Sequence, residues 1–328
     1  MFIVVAILSL LFTPLKLNPF QYLFSLSYIA RFILFISLAL LISQKKLPNF
    51  NQNLVLIASG SILSILGIFQ LIFIPNLSFL AEQGWDPHYF RTVSTFLDPN
   101  FLGAYLILTL ILLVQSSKFI SKKIKIVLFI VVYLALITTF SRSSFVLFIT
   151  SFLTLAFFKK SLPILFLTIL LVFGFGLSYF SYSKLVTKPR NISRTNSAQF
   201  RLNSWQQGFQ EFLKSPILGV GFNSYRFALD EYHLAPQNQL QAKGSSSNDS
   251  SLLFVLATTG VIGLIFYLFF LFTLFKTAFS KIDTNKNISI ALIAGLTGLL
   301  VNSFFINSLF YPFILIWIVL TLSQLLKD

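Results

Sequence analysis

The chain has 328 residues, of which 56% are hydrophobic and only 10% are charged. This composition leaves too little polar surface for a soluble domain of that length, so it excludes an ordinary water-soluble globular protein. Cysteine is absent, which excludes disulfides and thiolate metal sites. The net charge of +15 would suggest a nucleic-acid partner in a soluble protein, but in a membrane protein it belongs to the loops.

Apolar segments recur along the whole chain, each near the roughly 20 residues that a helix needs to cross hydrocarbon. They are continuous rather than alternating, which argues against a membrane β-barrel. The sequence therefore predicts an all-α, polytopic helical membrane protein with about ten transmembrane helices and one long extracytoplasmic loop. The predicted spans cover residues 2–17, 20–43, 54–75, 101–116, 123–140, 143–158, 162–180, 250–275, 288–306 and 309–326.

Lysines in the short loops predict the orientation, because basic residues concentrate on the cytoplasmic side. In a ten-span chain one side receives Lys45, Lys46, Lys118, Lys122, Lys123, Lys125, Lys159, Lys160, Lys276, Lys281, Lys286 and Lys327. Both termini would share that side, and the long loop would face outward. These features predict a multi-pass membrane protein with both termini in the cytoplasm.

The arginines follow a different pattern from the lysines. None lies in a predicted cytoplasmic loop; the seven are Arg31, Arg91, Arg142, Arg190, Arg194, Arg201 and Arg226. Outer positive charge opposes the orientation rule, and the planar guanidinium suits bidentate binding of phosphate or carboxylate. The outer arginines therefore indicate a site for an anionic group.

Three regions are expected from this pattern: an N-terminal bundle of about seven spans (1–180), an extracytoplasmic loop (181–249) and a C-terminal bundle of about three spans (250–328). Within the loop, apolar residues at helical spacing predict an amphipathic helix over about 197–214 that lies on the membrane surface. The tail "QAKGSSSNDSS" is predicted to be flexible, and His88 and His233 are expected at the surface.

The positions of the polar residues limit the reactions that this protein could catalyse. The cytoplasmic loops are too short for a nucleotide-binding domain, and no phosphate-binding glycine loop or DxD metal pair is present in the sequence. An enzyme acting on the outer side needs a donor carried through the membrane, such as a polyprenyl diphosphate. No cofactor or metal is expected, and the expected partners are that donor, a glycan or lipid acceptor and membrane lipids rather than nucleic acid.

Five motifs in order resemble the O-antigen ligase/polymerase family of bacterial envelope glycosyltransferases. They are "RTVSTFLDPNFLGAYL" (91–106), "FSRSSF" (140–145), "RLNSWQQGFQEFLKSPILGVGFNSY" (201–225), "SSLLFVLATTGVIGLIFYL" (250–268) and "GLTGLLVNSFFINSLFYPFILIW" (295–317).

The resemblance implies a C-type glycosyltransferase fold and transfer of a glycan from undecaprenyl diphosphate, without a metal and with inversion. Arginines at the matching positions Arg91, Arg142 and Arg201 would hold the diphosphate and stabilise it as a leaving group. Arg31, inside a span, and Asn100 are further candidate substrate-binding residues.

The chain departs from the ligase pattern at one position. Family ligases have a His-Asn pair eleven residues before the first glycine of a GxxG in the span that follows the long loop. Counting back from Gly260, this chain has Asp249 followed by Ser250 at that place. A carboxylate can also accept the proton of an acceptor hydroxyl, so Asp249 is the candidate base. The departure counts against ligase activity and leaves polymerase-type activity more open.

Structural interpretations compete with these roles. Arg142 and Arg31 could be interfacial anchors, Arg201 could stack on Trp205, Asn100 could belong to a turn with Asp98, and Asp249 could cap the next helix. At the level of function, a lipid-linked oligosaccharide flippase or other transporter is the alternative. The two halves of the chain are unlike, and its polar residues gather on one side, which favours the enzyme.

Overall fold

The structure, a computed structural model, describes residues 1–44, 50–115, 120–185 and 194–326. Over these ranges the chain is helical and contains no named strand, only an isolated bridge between Asn76 and Tyr89. Each predicted span contains a helix. The apolar helices are α1 (Phe2–Leu11), α2 (Pro19–Ser43), α3 (Gln52–Phe73), α4 (Pro99–Gln115), α5 (Lys122–Ile137), α6 (Arg142–Lys159), α7 (Leu162–Leu185), α11 (Ser251–Ser280), α12 (Lys286–Asn302) and α13 (Pro312–Leu325).

Five of these helices, α2, α3, α6, α7 and α11, have the length and apolar composition to cross a membrane. The other five have 10–17 residues. The all-α, polytopic membrane fold is therefore confirmed, while the number of crossings stays a prediction. Of the residues used above, Lys45, Lys46, Lys118, Arg190 and Lys327 lie outside the described ranges.

The first predicted span is wrong in length. Helix α1 has ten residues, so at 1.5 Å per residue it covers about half of the roughly 30 Å hydrocarbon layer. Helix α1 ends at Leu11, shortly before Thr13 and Pro14. Two hydrogen bonds to the long loop between α7 and α11 hold the chain in place after this helix end. The Thr13 hydroxyl donates to the carbonyl of Val220 (2.6 Å), and the Lys16 amide donates to Glu231 (2.9 Å).

Small residues allow the helices to approach closely around α4, which is buried along nearly its whole length. Gly60 of α3 faces Thr109, Gly103 faces Ser144 of α6, and a side chain at either glycine would overlap its neighbour. Helices α6 and α12 pack together in the same way at Gly298. Such contacts replace the hydrophobic driving force that is missing between helices in lipid. The buried core includes helices of both predicted bundles; the predicted region boundaries stay a prediction.

The long loop between α7 and α11 contains α8 (Arg194–Lys214), α9 (Tyr225–Glu231) and α10 (Gln237–Gln241). Helix α8 confirms the predicted amphipathic helix, with Phe209 and Leu213 exposed; its position on a membrane surface stays a prediction. The predicted flexible tail is wrong. Residues Lys243–Ser246 form a 3-10 helix, and buried side chains at Ser245 and Asn248 hydrogen-bond back into the loop.

A break in α11 joins this loop to the bundle. Gly260 has φ +66°, so Val261 and Ile262 cannot donate to Ala257 and Thr258 as in a regular helix. Residues 216–221 replace both lost bonds. They accept from Val261 and Ile262 (2.9 and 3.4 Å) and donate to Ala257 and Thr258 (3.0 Å each).

Glycine is required on both sides of this junction. A Cβ at Gly260 would run into the backbone of Ile217, and one at Gly219 (φ +73°) into the backbone of Thr258 and Thr259. Neither backbone can move without breaking the hydrogen bonds just described. The predicted tight turns at Gly219 and Gly221 are thereby confirmed as positive-φ positions.

We expect Gly219→Ala and Gly260→Ala each to lower the melting temperature of the purified protein strongly, because each combines a left-handed residue, costing about 1–2 kcal/mol, with a backbone clash. Gly176→Ala is the matched control, since its Cβ would meet no atom within 4 Å. If Gly219→Ala has the same melting temperature as Gly176→Ala, the junction between residues 216–221 and α11 does not stabilise the loop.

Candidate active site

The N-terminal ends of α4 and α6 meet at one end of the bundle. Asp98 accepts from the amides of Asn100 (2.6 Å) and Phe101 (3.3 Å), which caps α4. The side-chain Oδ1 of Asn100 accepts a hydrogen bond from the hydroxyl of Ser141 (2.7 Å), and Ser141 is the N-cap of α6. The predicted turn around Asn100 is therefore present, and its side-chain oxygen is engaged in joining α4 to α6.

Arg91 and Arg142 are attached to the same turn between α5 and α6. The Arg91 Nε donates to the carbonyl of Thr139 (2.8 Å), three residues before Arg142. Arg142 is the first residue of α6, and its side chain is exposed. The turn thus presents two guanidinium groups on one side of the fold.

Arg142 and Arg201 both line a cavity of about 330 Å³. Arg201 comes from α8, and the aromatic rings of Trp205 and Phe305 complete the wall. In the parts of the chain that are described, Arg201 forms no stack on Trp205, whose ring lies 6.5 Å from that of Phe305 instead. The stacking alternative for Arg201 is therefore wrong, and Arg201 lines the cavity together with Arg142.

Asp249 lies beside Arg201 and does not cap a helix. The N-cap of α11 is Ser250, whose hydroxyl accepts from the amide of Leu253 (3.3 Å). Within the described ranges, the Asp249 carboxylate accepts no hydrogen bond, while its own amide donates to the Ser204 hydroxyl (3.0 Å). The capping alternative for Asp249 is therefore wrong.

A hydrogen-bonded network fixes the backbone at Asp249. The fully buried Asn248 amide donates to the Ser204 carbonyl and to the Tyr225 hydroxyl (2.9 Å). Ser204 follows Arg201 by three residues, so both lie on one face of α8. One rigid helix consequently sets the position of the Arg201 cation relative to the carboxylate.

Burial and neighbouring charges shift the pKa of the Asp249 carboxyl group. Burial raises the pKa of Asp249 to about 6, and the Arg201 cation opposes that rise, whereas Asp86 and Asp98 add to it. Burial lowers the pKa of Arg201, which the Asp249 carboxylate opposes and the Arg142 cation reinforces. A carboxyl group that titrates near neutral pH can exchange protons with a substrate under ordinary conditions.

Asp86 has no role in the predictions from sequence, yet the structure includes it in this charged cluster. Burial raises its pKa, and the Arg91 cation opposes the rise. The neighbouring His88 is buried rather than at the surface, and burial together with Arg91 lowers its pKa to about 3. The available signal was an acid in "WDPH" on the predicted outer side of a chain with only nine acids. In the described chain, no three acids or histidines could hold a metal ion.

Arg31 does not join this cluster. Its Nη2 donates to the carbonyl of Phe310 (3.3 Å), and its guanidinium lies over the ring of Tyr28 (4.0 Å). The structure thus brings together Arg91, Arg142, Arg201 and Asp249, leaves Asn100 at the helix junction beside them, and places Arg31 at a separate position.

These features define a polytopic membrane protein with a compact group of arginines and carboxyl groups at one end of its bundle. Residues 126–268 match the family model of the O-antigen ligase, a segment that contains Arg142, Arg201 and Asp249 but not Arg31, Arg91 or Asn100. The match covers somewhat less than half of the chain and confirms the resemblance to the O-antigen ligase/polymerase family. No curated protein matches the chain.

The Asp249 environment predicts a measurable titration. Infrared spectroscopy can follow the carboxylic-acid band of Asp249, which is identified by its loss in Asp249→Asn. In the wild type this band should titrate with a midpoint near pH 6. Arg201→Gln should move that midpoint to higher pH, because it removes the cation that favours the carboxylate. Arg226→Gln, which changes another arginine of the loop, should leave it in place. A midpoint near 4, the ordinary value for Asp, would contradict this description.

Proposed function

We propose that this chain is an integral membrane glycosyltransferase that polymerises or ligates a glycan carried on a polyprenyl (undecaprenyl) diphosphate. The family match supports a membrane enzyme of polysaccharide assembly. The finer proposal depends on one observation: Arg142 and Arg201 line one cavity beside Asp249, whose carboxyl group titrates near neutral pH.

The arginine cavity fits the diphosphate of the donor. Two guanidinium groups offer paired N–H donors to the phosphate oxygens, and their charge stabilises the diphosphate as it leaves. Arg91, fixed to the same turn as Arg142, adds positive charge at the rim. Trp205 and Phe305 supply apolar and aromatic surface for the sugar or for the first part of the lipid chain.

Asp249 is the proposed base. An acceptor hydroxyl gives its proton to the Asp249 carboxylate while its oxygen bonds to the anomeric carbon of the donor glycan. The bond between that carbon and the diphosphate breaks, and polyprenyl diphosphate leaves with both bonding electrons. Attack from the face opposite the leaving group inverts the anomeric centre, and the step uses only the protein's own acid–base and cationic groups.

The orientation forms part of the proposal. The lysine pattern places α8 and the arginine cavity at the outer face of a bacterial cytoplasmic membrane and both termini in the cytoplasm. The donor glycan is then reached without a nucleotide, in agreement with the absence of a nucleotide-binding motif from the sequence.

Arg142→Lys should reduce glycan transfer to about a tenth or less of the wild-type level, and Arg142→Ala should reduce it further, because a point charge does not replace a bidentate fork on a diphosphate. The readout is the length and amount of surface glycan, measured by mass analysis, in a deletion strain that expresses each variant.

Arg226→Lys is the control, since it makes the same exchange at an arginine of the loop that donates to the backbone carbonyl of Ala242 (3.0 Å). Full transfer by Arg142→Lys at normal protein level would show that Arg142 is only an interfacial anchor.

A further inference from the structure

Three lysines lie near one another at the end of the bundle opposite the arginine cavity. They are Lys125 in the first turn of α5, Lys159 at the end of α6 and Lys286 at the start of α12. Lys159 feels the charges of the other two, and both repel it. Its Nζ donates to the Oδ1 of Asn287 (2.8 Å), which holds it against the first turn of α12. We name Lys125, Lys159 and Lys286 the lysine cluster.

The lysine cluster lies at the depth of lipid headgroups. Helix α6 begins at Arg142, which lines the arginine cavity, and ends at Lys159. Its 18 residues cover about 27 Å at 1.5 Å per residue, close to the roughly 30 Å of a bilayer's hydrocarbon layer. The two ends of α6 therefore reach opposite membrane interfaces, and Lys159 lies on the side that the lysine pattern predicts to be cytoplasmic.

The N-terminus of a long helix adds positive charge to the lysine cluster. The first N–H groups of a helix have no partner inside it, and their partial positive charge favours an anion. Helix α12 has 17 residues, and the side chain of its N-cap residue Asn285 does not cap it. Lys286 begins this turn, and Lys159 contacts it through Asn287. Side-chain and backbone donors therefore converge at the start of α12.

A buried amide is an independent indication of a ligand at this end of the bundle. Gln115 is the last residue of α4 and is 3% exposed. In the described parts of the chain, neither its Oε1 nor its Nε2 has a hydrogen-bond partner. Burying an amide without a partner is costly, so a side chain in this condition needs a bound group to satisfy it.

The register between α4 and α12 brings Gln115 to the start of α12. The N-terminus of α4 and the C-terminus of α12 both bond to the start of α6, so α4 and α12 run antiparallel. A Cβ on Gly295 of α12 would lie 3.2 Å from Leu108 of α4. Seven residues, or about two turns, further towards the lysine cluster lie Gln115 on α4 and Ile288 on α12, on the same faces. Ile288 belongs to the first turn of α12, so the Gln115 amide lies at the level of that turn.

An apolar aromatic surface lies beside Lys159. Phe157 is exposed and packs on Phe158 (ring centroids 5.3 Å apart), and Phe158 packs on Phe279 of α11 (5.7 Å). A soluble anion gains nothing from such a surface, whereas the acyl chains of a lipid would cover it. The surroundings of Lys159 therefore favour a lipid over a free ion.

We propose that the lysine cluster, the first turn of α12 and Gln115 bind the phosphate group of an anionic phospholipid in the leaflet opposite the arginine cavity. The ammonium groups neutralise the phosphate, the Gln115 Nε2 and the backbone N–H groups of α12 donate to its oxygens, and the acyl chains lie along Phe157 and Phe279. Basic pockets between helices on the cytoplasmic side of a membrane commonly hold such headgroups. The inference does not depend on the proposed glycan transfer.

A lipid titration tests this site. The purified, delipidated protein in detergent is titrated with phosphatidylglycerol, and bound lipids are counted by native mass spectrometry. Wild type should bind one molecule more tightly than phosphatidylcholine, which has a phosphate but no net charge. Lys159→Gln should weaken this binding by on the order of tenfold, because it removes a charged donor to the phosphate. Gln115→Leu should weaken it by a smaller factor, and Lys159→Arg, which keeps the charge, should restore most of it.

Lys160→Gln is the matched control, since it removes the same charge from the next residue, an exposed one that ends α6, and should bind as wild type does. Equal losses in Lys159→Gln and Lys160→Gln would overturn the proposal, as would equal affinity for the two lipids, because the lysines would then act only as diffuse charge. Lys286→Gln, which alters an exposed lysine of the cluster, provides the same test if Lys159→Gln melts well below wild type without lipid.

A competition experiment distinguishes the two sources of phosphate. Inorganic phosphate at millimolar concentration should leave the bound phosphatidylglycerol in place, because a free ion makes no contact with Phe157 and Phe279. Displacement of the lipid by inorganic phosphate, lost in Lys159→Gln, would overturn the assignment to a lipid and leave a site for a soluble phosphate.

Discussion

The backbone of α11 is broken at Gly260, and the repair of that break is the constraint on which the site depends. In lipid, an unpaired backbone group costs several kcal/mol, so a span can lose two internal hydrogen bonds only if another segment replaces them. Residues 216–221 do so with four bonds. This fixes the chain that follows α8 and, through it, the depth at which α8 crosses the end of the bundle.

The position of α8 in turn decides the chemistry. Arg201 and Ser204 lie on one face of this helix, and Ser204 accepts the amide of Asp249 at 3.0 Å. A shift of α8 by one residue would separate the cation from the carboxylate and open the cavity that Arg201 shares with Arg142. Burial raises the pKa of Asp249 to about 6; the Arg201 cation opposes this rise, and Asp86 and Asp98 add to it. Arg142 and Arg201 supply positive charge to the cavity, which attracts an anionic substrate.

Periodic features were predictable from the sequence, and features that depend on tertiary contacts were not. Long apolar runs predicted the helices because lipid leaves few alternatives, and the spacing of Trp205, Phe209 and Leu213 predicted α8. The end of α1 depends on bonds between Thr13 and Val220, which are 207 residues apart. The order of the serine-rich tail likewise depends on Asn248 reaching Ser204 and Tyr225.

Some residues of the candidate site could likewise be predicted from the sequence, and others could not. The absence of arginine from the predicted cytoplasmic loops drew attention to all seven arginines. The resemblance to the family then selected Arg91, Arg142 and Arg201 among them. The place of Arg31 could not be predicted, since its partner is the carbonyl of Phe310, 279 residues away. Asp86 escaped notice because a single acid in a loop has no periodic or motif signal, and only its electrostatic interaction with Arg91 in the folded chain gives it a role.

The most direct test of the account is transfer by the purified protein in liposomes, given a polyprenyl-diphosphate-linked glycan and no nucleotide or other enzyme. A transferase should lengthen the glycan chains or join them to an acceptor, and it should release one polyprenyl diphosphate for each new linkage. If the glycan instead crosses the bilayer with its diphosphate bond intact and no linkage forms, the protein is a lipid-linked oligosaccharide transporter, and the assignment of a transferase is wrong.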